Sequence, residues 1–363
     1  MHLIMDARAL QIHVDGIGRY SLGVMKALSR LEPGWKLSVI VNPEAAPQVD
    51  GLPVETVKSS AVRFRRGENR ELVPFIESSG ADCYLNFSMA GPSPSIPTVL
   101  SVHDLMVLNM PGYFGSSFLR NILARFLFRI RIKRSIGHAR AISVLSEASL
   151  SDLRRVFPGA EKKAFVAGAG QDLFSGDEKG GSERKDYLLY VGNARAYKNV
   201  TRLIVAYARL KAINPRFPEM KMVVRRDRAF GDFMRDVQEC SATDSITVLS
   251  HVTDDELRKL YRSCTGLVIP SLKEGFGLPA LEAMAAGSPV VASSGTALEE
   301  LVGDAGILVN PESVEDIMRG MAILTSQPDL RRKLARKALE RAGNYSWKKT
   351  ASVIADRIGV ITS

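Results

Sequence analysis

Several things are scarce in this sequence of 363 residues, and each scarcity removes a class of protein. No stretch approaches the roughly 20 uncharged apolar residues that cross a bilayer, so a membrane-spanning helix is not expected. The first residues lack a basic region followed by an apolar run; Met1-His2-Leu3-Ile4-Met5 reads as a first buried strand rather than a signal peptide. Cysteine is rare. Cys83, Cys240 and Cys264 are odd in number, far apart and never at metal-ligand spacing, which fits reduced small hydrophobes of a cytosolic protein. Asp-x-Asp is absent, so no motif offers the carboxylates that a phosphate-bridging metal would want. No short solenoid repeat occurs either.

What is present is ordinary in bulk and informative in order. With 45% apolar residues the chain is too apolar for disorder, and its length predicts two domains. The net charge of +10 suits an anionic partner such as a nucleotide, a lipid headgroup or nucleic acid, without choosing among them. Short apolar runs alternate with amphipathic ones. Strands are predicted at 3–6, 37–41, 83–86, 98–102 and 141–145, with helices between them, notably 18–31, 68–78, 118–135 and 147–157. The pattern stops in the polar, glycine-rich stretch before Asp186, then restarts with strands at 187–191, 220–224, 246–249, 266–270, 289–292 and 306–309. Continuous apolar strands joined by helices mean parallel sheets covered on both faces. The expectation is α/β: a Rossmann-like, doubly wound domain over residues 1–170, a linker at 171–186 and a second such domain at 187–346. Ligands of such folds bind at the strand C-terminal edges, where helix N-termini present free N–H groups.

The sharpest motif is Glu274-Gly275-Phe276-Gly277-Leu278-Pro279-Ala280-Leu281-Glu282-Ala283-Met284-Ala285-Ala286-Gly287. It reads as strand, glycine-rich loop, helix. Gly275 and Gly277 permit tight backbone and close ligand approach, Pro279 fits the first helical turn, and Gly287 ends the helix. A loop carboxylate at Glu274 can grip sugar hydroxyls, and Glu282, about one turn inside the helix, can look back at a ribose. The segment, continued by Pro289-Val290-Val291-Ala292, closely resembles the signature of the retaining glycosyltransferases of the GT-B fold, family 4 (glycosyl transferases group 1). That resemblance implies two Rossmann-like domains facing a central cleft, with the C-terminal helix at about 347–363 packing back on the first domain.

It also implies site residues. Glu274 is expected on the donor sugar and Glu282 on the ribose, with Gly275, Phe276, Gly277 and Leu278 forming the cradle. In Tyr187-Leu188-Leu189-Tyr190-Val191-Gly192-Asn193-Ala194-Arg195-Ala196-Tyr197-Lys198-Asn199, Lys198 is expected to reach the donor diphosphate. A fixed ammonium there stabilises a leaving group whose negative charge grows in the transition state. Relatives place an arginine just after the loop glycine; here that position is Asn193, so Arg195, or Arg225 and Arg226, are candidates to replace it, against the alternative of solvated cations. The segment from Gly295 to Gly306 resembles the loop that closes over the donor.

In the first half, Asp15-Gly16-Ile17-Gly18-Arg19-Tyr20 resembles the family's glycine-rich loop, which places Gly16 and Gly18 near donor phosphate. Ser101-Val102-His103-Asp104-Leu105 puts His103 at a strand end, where the family's histidine contacts the transferred sugar; Asp104 is a candidate to orient the ring. Ser146 with Glu147 reads as an N-cap. The helix over 118–135 has a broad apolar face bordered by Arg120, Arg125, Arg129, Arg131, Lys133 and Arg134. Core packing with outward-reaching arginines is the reading adopted, and contact with an anionic membrane is the other.

The expected activity is therefore retaining, metal-independent transfer of a hexose from a nucleotide sugar to a glycan or lipid-linked acceptor in surface polysaccharide synthesis (lipopolysaccharide, O-antigen or exopolysaccharide). His103, Glu274 and Lys198 are the catalytic candidates, with no metal and no other cofactor. The resemblance leans to the mannosyltransferase-like branch and GDP-mannose. The expected place is the cytoplasm, with peripheral contact at the inner membrane face. A nucleotide-sugar epimerase or sugar-phosphate synthase on the same fold is the enzymatic alternative. A non-catalytic nucleotide- or membrane-binding protein is the other, and no nucleic-acid partner is expected, because the charge lacks interleaved aromatic stacking motifs.

Overall fold

Side chains such as Leu3, Ile4 and Met5, or Val290, Val291 and Ala292, are fully buried in unbroken runs. Only a strand covered on both faces tolerates that, and both sheets of this protein are parallel throughout. The computed structural model describes residues 1–11, 16–65, 67–110, 113, 118–174 and 186–363. The chain divides into two compact units, one made of Met1–Gly170 with Ser346–Ser363, the other of Gln171–Tyr345.

In the first unit the strands are β1 (His2–Asp6), β2 (Lys36–Val41), β3 (Glu55–Lys58), β4 (Cys83–Asn86), β5 (Thr98–Val102), β6 (Ala141–Val144) and β7 (Ala164–Val166). They lie in the order β3-β2-β1-β4-β5-β6-β7. The helices are α1 (Gly16–Leu31), α2 (Glu68–Ser78), the short α3 (Met106–Asn109), α4 (Phe118–His138) and α5 (Glu147–Val156). Beneath the end of β1, Arg8 is buried and donates to Asp6 Oδ2 at 2.6 Å and Glu68 Oε1 at 2.7 Å, while the Tyr84 hydroxyl donates to Asp6 at 2.6 Å. This closed network ties α2 to the sheet.

In the second unit β8 (Tyr187–Gly192), β9 (Glu219–Val224), β10 (Ile246–Leu249), β11 (Gly266–Ile269), β12 (Val290–Ser293) and β13 (Ile307–Val309) run in the order β10-β9-β8-β11-β12-β13. They alternate with α6 (Val200–Ile213), α7 (Phe230–Glu239), α8 (Asp254–Ser263), α9 (Leu278–Ala285), α10 (Ala297–Val302), α11 (Val314–Ser326) and α12 (Pro328–Ala342). Strand order reverses direction between β8 and β11, the switch point at which doubly wound sheets open a crevice for ligands. The last helix, α13 (Trp347–Thr362), packs on α1 within the first unit.

One expectation is overturned. The apolar face of α4 is not core: Phe118, Leu119, Ile122, Leu123, Phe126, Leu127 and Ile130 are 45–78% exposed. The helix does bury a stripe, but it is the opposite one, through Asn121, Ile132, Ser135 and Ile136, with Phe128 against Phe64 at 5.3 Å.

Candidate active site

In the second unit the loops after β8 and β11 flank the switch point and carry the charged pair. Lys198 ends a short 3-10 turn and Asn199 follows in the left-handed region at φ 61°, a conformation that asparagine tolerates better than most residues. The Asn199 amide donates to the carbonyls of Pro270 at 2.9 Å and Pro311 at 2.6 Å, so the loops after β11 and β13 both hold the start of α6 in place. Lys198 is thereby aimed at Glu274, and its Nζ lies 2.5 Å from Oε1. Ser271 donates to the same oxygen at 2.9 Å. Both charged side chains are buried to about nine-tenths, so their attraction is only weakly screened.

Around this pair the polar groups are fixed. The Tyr190 hydroxyl donates to the Asn193 carbonyl at 2.6 Å; burial, then the Glu274 charge, pushes it well above the usual phenol range. Asn193, which stands where relatives have arginine, donates to the Tyr197 hydroxyl at 3.1 Å. Arg195 is half-exposed and donates through Nε to Asp227 Oδ2 at 2.9 Å, joining the loops after β8 and β9. Arg225 and Arg226 are exposed beyond β9, with Arg226 over the Phe230 ring at 5.3 Å.

The glycine-rich loop ends at Gly277, which caps α9 at φ 101°, and Leu278 and Pro279 begin the helix. A Cβ on Gly277 would stand 2.4 Å from a Leu298 methyl on α10, so both conformation and space exclude a side chain. Phe276 is buried edge-on against Tyr345 at 5.7 Å, and Gly275 links it to Glu274. Glu282 is buried on α9 and accepts from the Tyr261 hydroxyl of α8 at 2.9 Å. The second unit thus brings a paired ammonium, Lys198, its partner Glu274 and the N-terminus of α9 to one edge, where N–H groups and a cation can meet a diphosphate.

In the first unit His103 follows β5 and is buried. Its Nε2 lies 2.8 Å from the Phe87 carbonyl, which can only accept, so Nε2 carries a proton. Tyr20 packs edge-on against the imidazole at 4.7 Å. The His103 carbonyl accepts from Ser149 Oγ at 3.2 Å, at the start of α5, where Ser146 caps the Ser149 N–H at 3.1 Å. Asp104 accepts from the Met106 N–H at 2.9 Å and opens α3; a backbone carbonyl, not this carboxylate, holds Nε2. Gly16 is the exposed first residue of α1 and Gly18, two residues on, is buried. Asp15 and His13 lie outside the described residues.

Reading the sequence for charged and glycine motifs passed over three groups. These are the two carbonyls held by Asn199, the Tyr261 hydroxyl on Glu282, and the Tyr20 ring on His103. The Lys-Asn pair was the one signal available for the first.

Two doubly wound units, the second with a buried lysine–glutamate pair at its switch point, have the GT-B fold. Residues 176–341 match the family described as Glycosyl transferases group 1. The chain is 26% identical over 381 residues to O-antigen chain mannosyltransferase B of Escherichia coli, covering 96% of this chain and 97% of that one. It is 29% identical to the serotype-specific mannosyltransferase WbdA of Escherichia coli over 73% of its length, and spans only 34% of that larger protein. WaaG, a glycosyltransferase involved in lipopolysaccharide biosynthesis, superposes with a TM-score of 0.76 over 99% of both chains at 18% identity, a likeness of fold.

Proposed function

We propose that this glycosyltransferase moves mannose from GDP-mannose, with retention of configuration and without a metal, to a lipid-linked or polysaccharide acceptor of a surface glycan. The buried Lys198–Glu274 pair carries the reading. It supplies the positive charge that a departing diphosphate needs, at a fixed point beside the N-terminus of α9. On donor binding the ammonium passes from Glu274 to the diphosphate, and the released carboxylate accepts from the sugar hydroxyls. His103 contacts the transferred sugar, and Glu282 takes the ribose. Gly275, Phe276, Gly277 and Leu278 line the anion cradle, Gly16 and Gly18 leave room for phosphate, and Arg195 is the candidate for the missing arginine. The acceptor hydroxyl attacks from the leaving-group face, and the departing phosphate takes its proton. The two relatives named as mannosyltransferases support the sugar.

The test is a thermal-shift panel of GDP, UDP, ADP and dTDP in excess EDTA, followed by turnover of the preferred nucleotide's sugar. GDP is expected to raise the melting temperature most. GDP-mannose is expected to give an α-linked product in EDTA. A larger shift with UDP would move the donor, a β-linked product would end retention, and activity restored only by magnesium or manganese would end metal independence.

A further inference from the structure

The exposed face of α4 needs an occupant. On a helix of 100° per residue, Phe118, Leu119, Ile122, Leu123, Phe126, Leu127 and Ile130 fall within one half-turn, opposite the buried stripe through Asn121, Ile132 and Ser135. Seven large apolar side chains facing water over three turns far exceed scattered surface hydrophobes. The helix also carries six lysines and arginines and no acid. Arg125 and Arg129 are turned to the carbonyls of Leu108 at 2.9 Å and Val156 at 3.0 Å, while Arg131, Lys133 and Arg134 lie at the C-terminal end.

A second feature adjoins it. A cavity of about 210 Å³ opens beside the C-terminal half of α4, walled by Arg131 and Arg134 with Arg65 across from them. Its one carboxylate, Glu68, is already engaged by Arg8 at 2.7 Å and the Phe64 N–H at 2.9 Å. Arg134 lies one helical turn beyond Ile130 and Arg131 one turn beyond Leu127, so the apolar stripe runs directly into the basic cavity.

We propose that α4 lies in the surface of an anionic phospholipid bilayer, with its apolar stripe among the acyl chains and a headgroup phosphate in the Arg65–Arg131–Arg134 cavity. The length and charge suit a helix lying in the interface: no described helix is long and apolar enough to cross a membrane. A second copy of the chain is a poorer occupant, because a twofold contact would set the six cations of one α4 against those of the other.

Flotation with vesicles of phosphatidylcholine alone, or with about one quarter phosphatidylglycerol, tests this without any sugar or turnover, so its outcome is independent of the donor reading. The wild-type protein is expected to float with the anionic vesicles and to be released by high salt. Leu119→Glu/Phe126→Glu is expected to weaken binding roughly 30-fold, and Arg131→Ala/Arg134→Ala roughly 20-fold. Because these side chains point away from the buried stripe, the melting temperature should hold. As a check free of charge insertion, a bimane on Leu123→Cys in a Cys240→Ser background should shift to the blue with anionic vesicles. Equal recovery with neutral and anionic vesicles overturns the proposal, as does an unchanged bimane spectrum. A dimer in light scattering that Leu119→Glu/Phe126→Glu dissociates, with flotation intact, would assign the face to self-association instead.

Discussion

Lys198 and Glu274 are two charges that share one small dry volume, with side chains only 9% and 8% exposed. Removing either leaves the other unpaired in a low dielectric, which costs about 3 kcal/mol, whereas removing both as neutral side chains of similar shape costs far less. Lys198→Ala therefore has two separable consequences. The leaving diphosphate loses its fixed cation, so kcat is expected to fall by roughly 100- to 1,000-fold. The fold loses stability through the stranded Glu274. In urea denaturation the double variant Lys198→Met/Glu274→Gln should be more stable than Lys198→Ala alone, with a coupling above about 1 kcal/mol. Additive losses would mean that the 2.5 Å contact does not persist in solution, and near-normal turnover of Lys198→Ala would remove the lysine from the mechanism.

At the scale of elements, α9 is positioned by what its cap excludes. Gly277 holds φ 101°, and the Leu298 methyl of α10 occupies the place of a Cβ. Gly277→Ala must strain the backbone and push aside the buried Leu298 side chain, at an expected cost of roughly 2–4 kcal/mol. Gly231, inside α7 with no atom within 4 Å of its Cβ position, is the control; alanine there should stabilise by about 0.5–1 kcal/mol. Thermal denaturation of the two variants decides the matter, and equal behaviour would sink the packing argument. This contact also marks where the sequence stops being legible. All six strands of the second sheet were legible, and β11 and β12 most plainly, because they are buried on both faces and have no polar side to confuse the pattern. In the first sheet β3 and β7 were not: Glu-Thr-Val-Lys at an edge is mostly exposed, and Ala164–Val166 has three residues. Helix α10 passed for a loop because six residues are too few to show a period. The burial of α4 was misjudged because its buried stripe mixes Asn121 and Ser135 with Ile132 and Ile136, so the more apolar face was the wrong guide to the inner one. At the candidate site, motif resemblance named Lys198 and Glu274, which the structure pairs, and Glu282, which it sets against Tyr261. It could not show that Asn199 reaches carbonyls 71 and 112 residues away, a fact of tertiary structure alone.

For the whole molecule, the chain passes from the first unit to the second at Gly170 and back at Tyr345, so the first unit is completed by a segment distant in sequence from the rest of it. Helix α13 forms that segment. Its Trp347 is buried, with its indole filling the space where a Cβ on Gly23 of α1 would stand at 2.3 Å and its ring 5.7 Å from Tyr20. Tyr20 in turn packs on His103, and burial pushes its hydroxyl up to about 12, so it stays protonated at any working pH. That hydroxyl and those of Ser101 and Ser143, on neighbouring strands, lack well-formed hydrogen bonds, so apolar packing by Trp347 is what holds this region. Trp347→Ala should therefore remove about 3–5 kcal/mol from the first unit while leaving the core of the second intact. Two units with separate cores can also melt separately. In calorimetry the variant is expected to split the endotherm, lowering one transition, while GDP raises the other, which belongs to the unit holding Lys198 and Glu274. A single transition lowered as a whole, and raised as a whole by GDP, would show that the two units unfold as one.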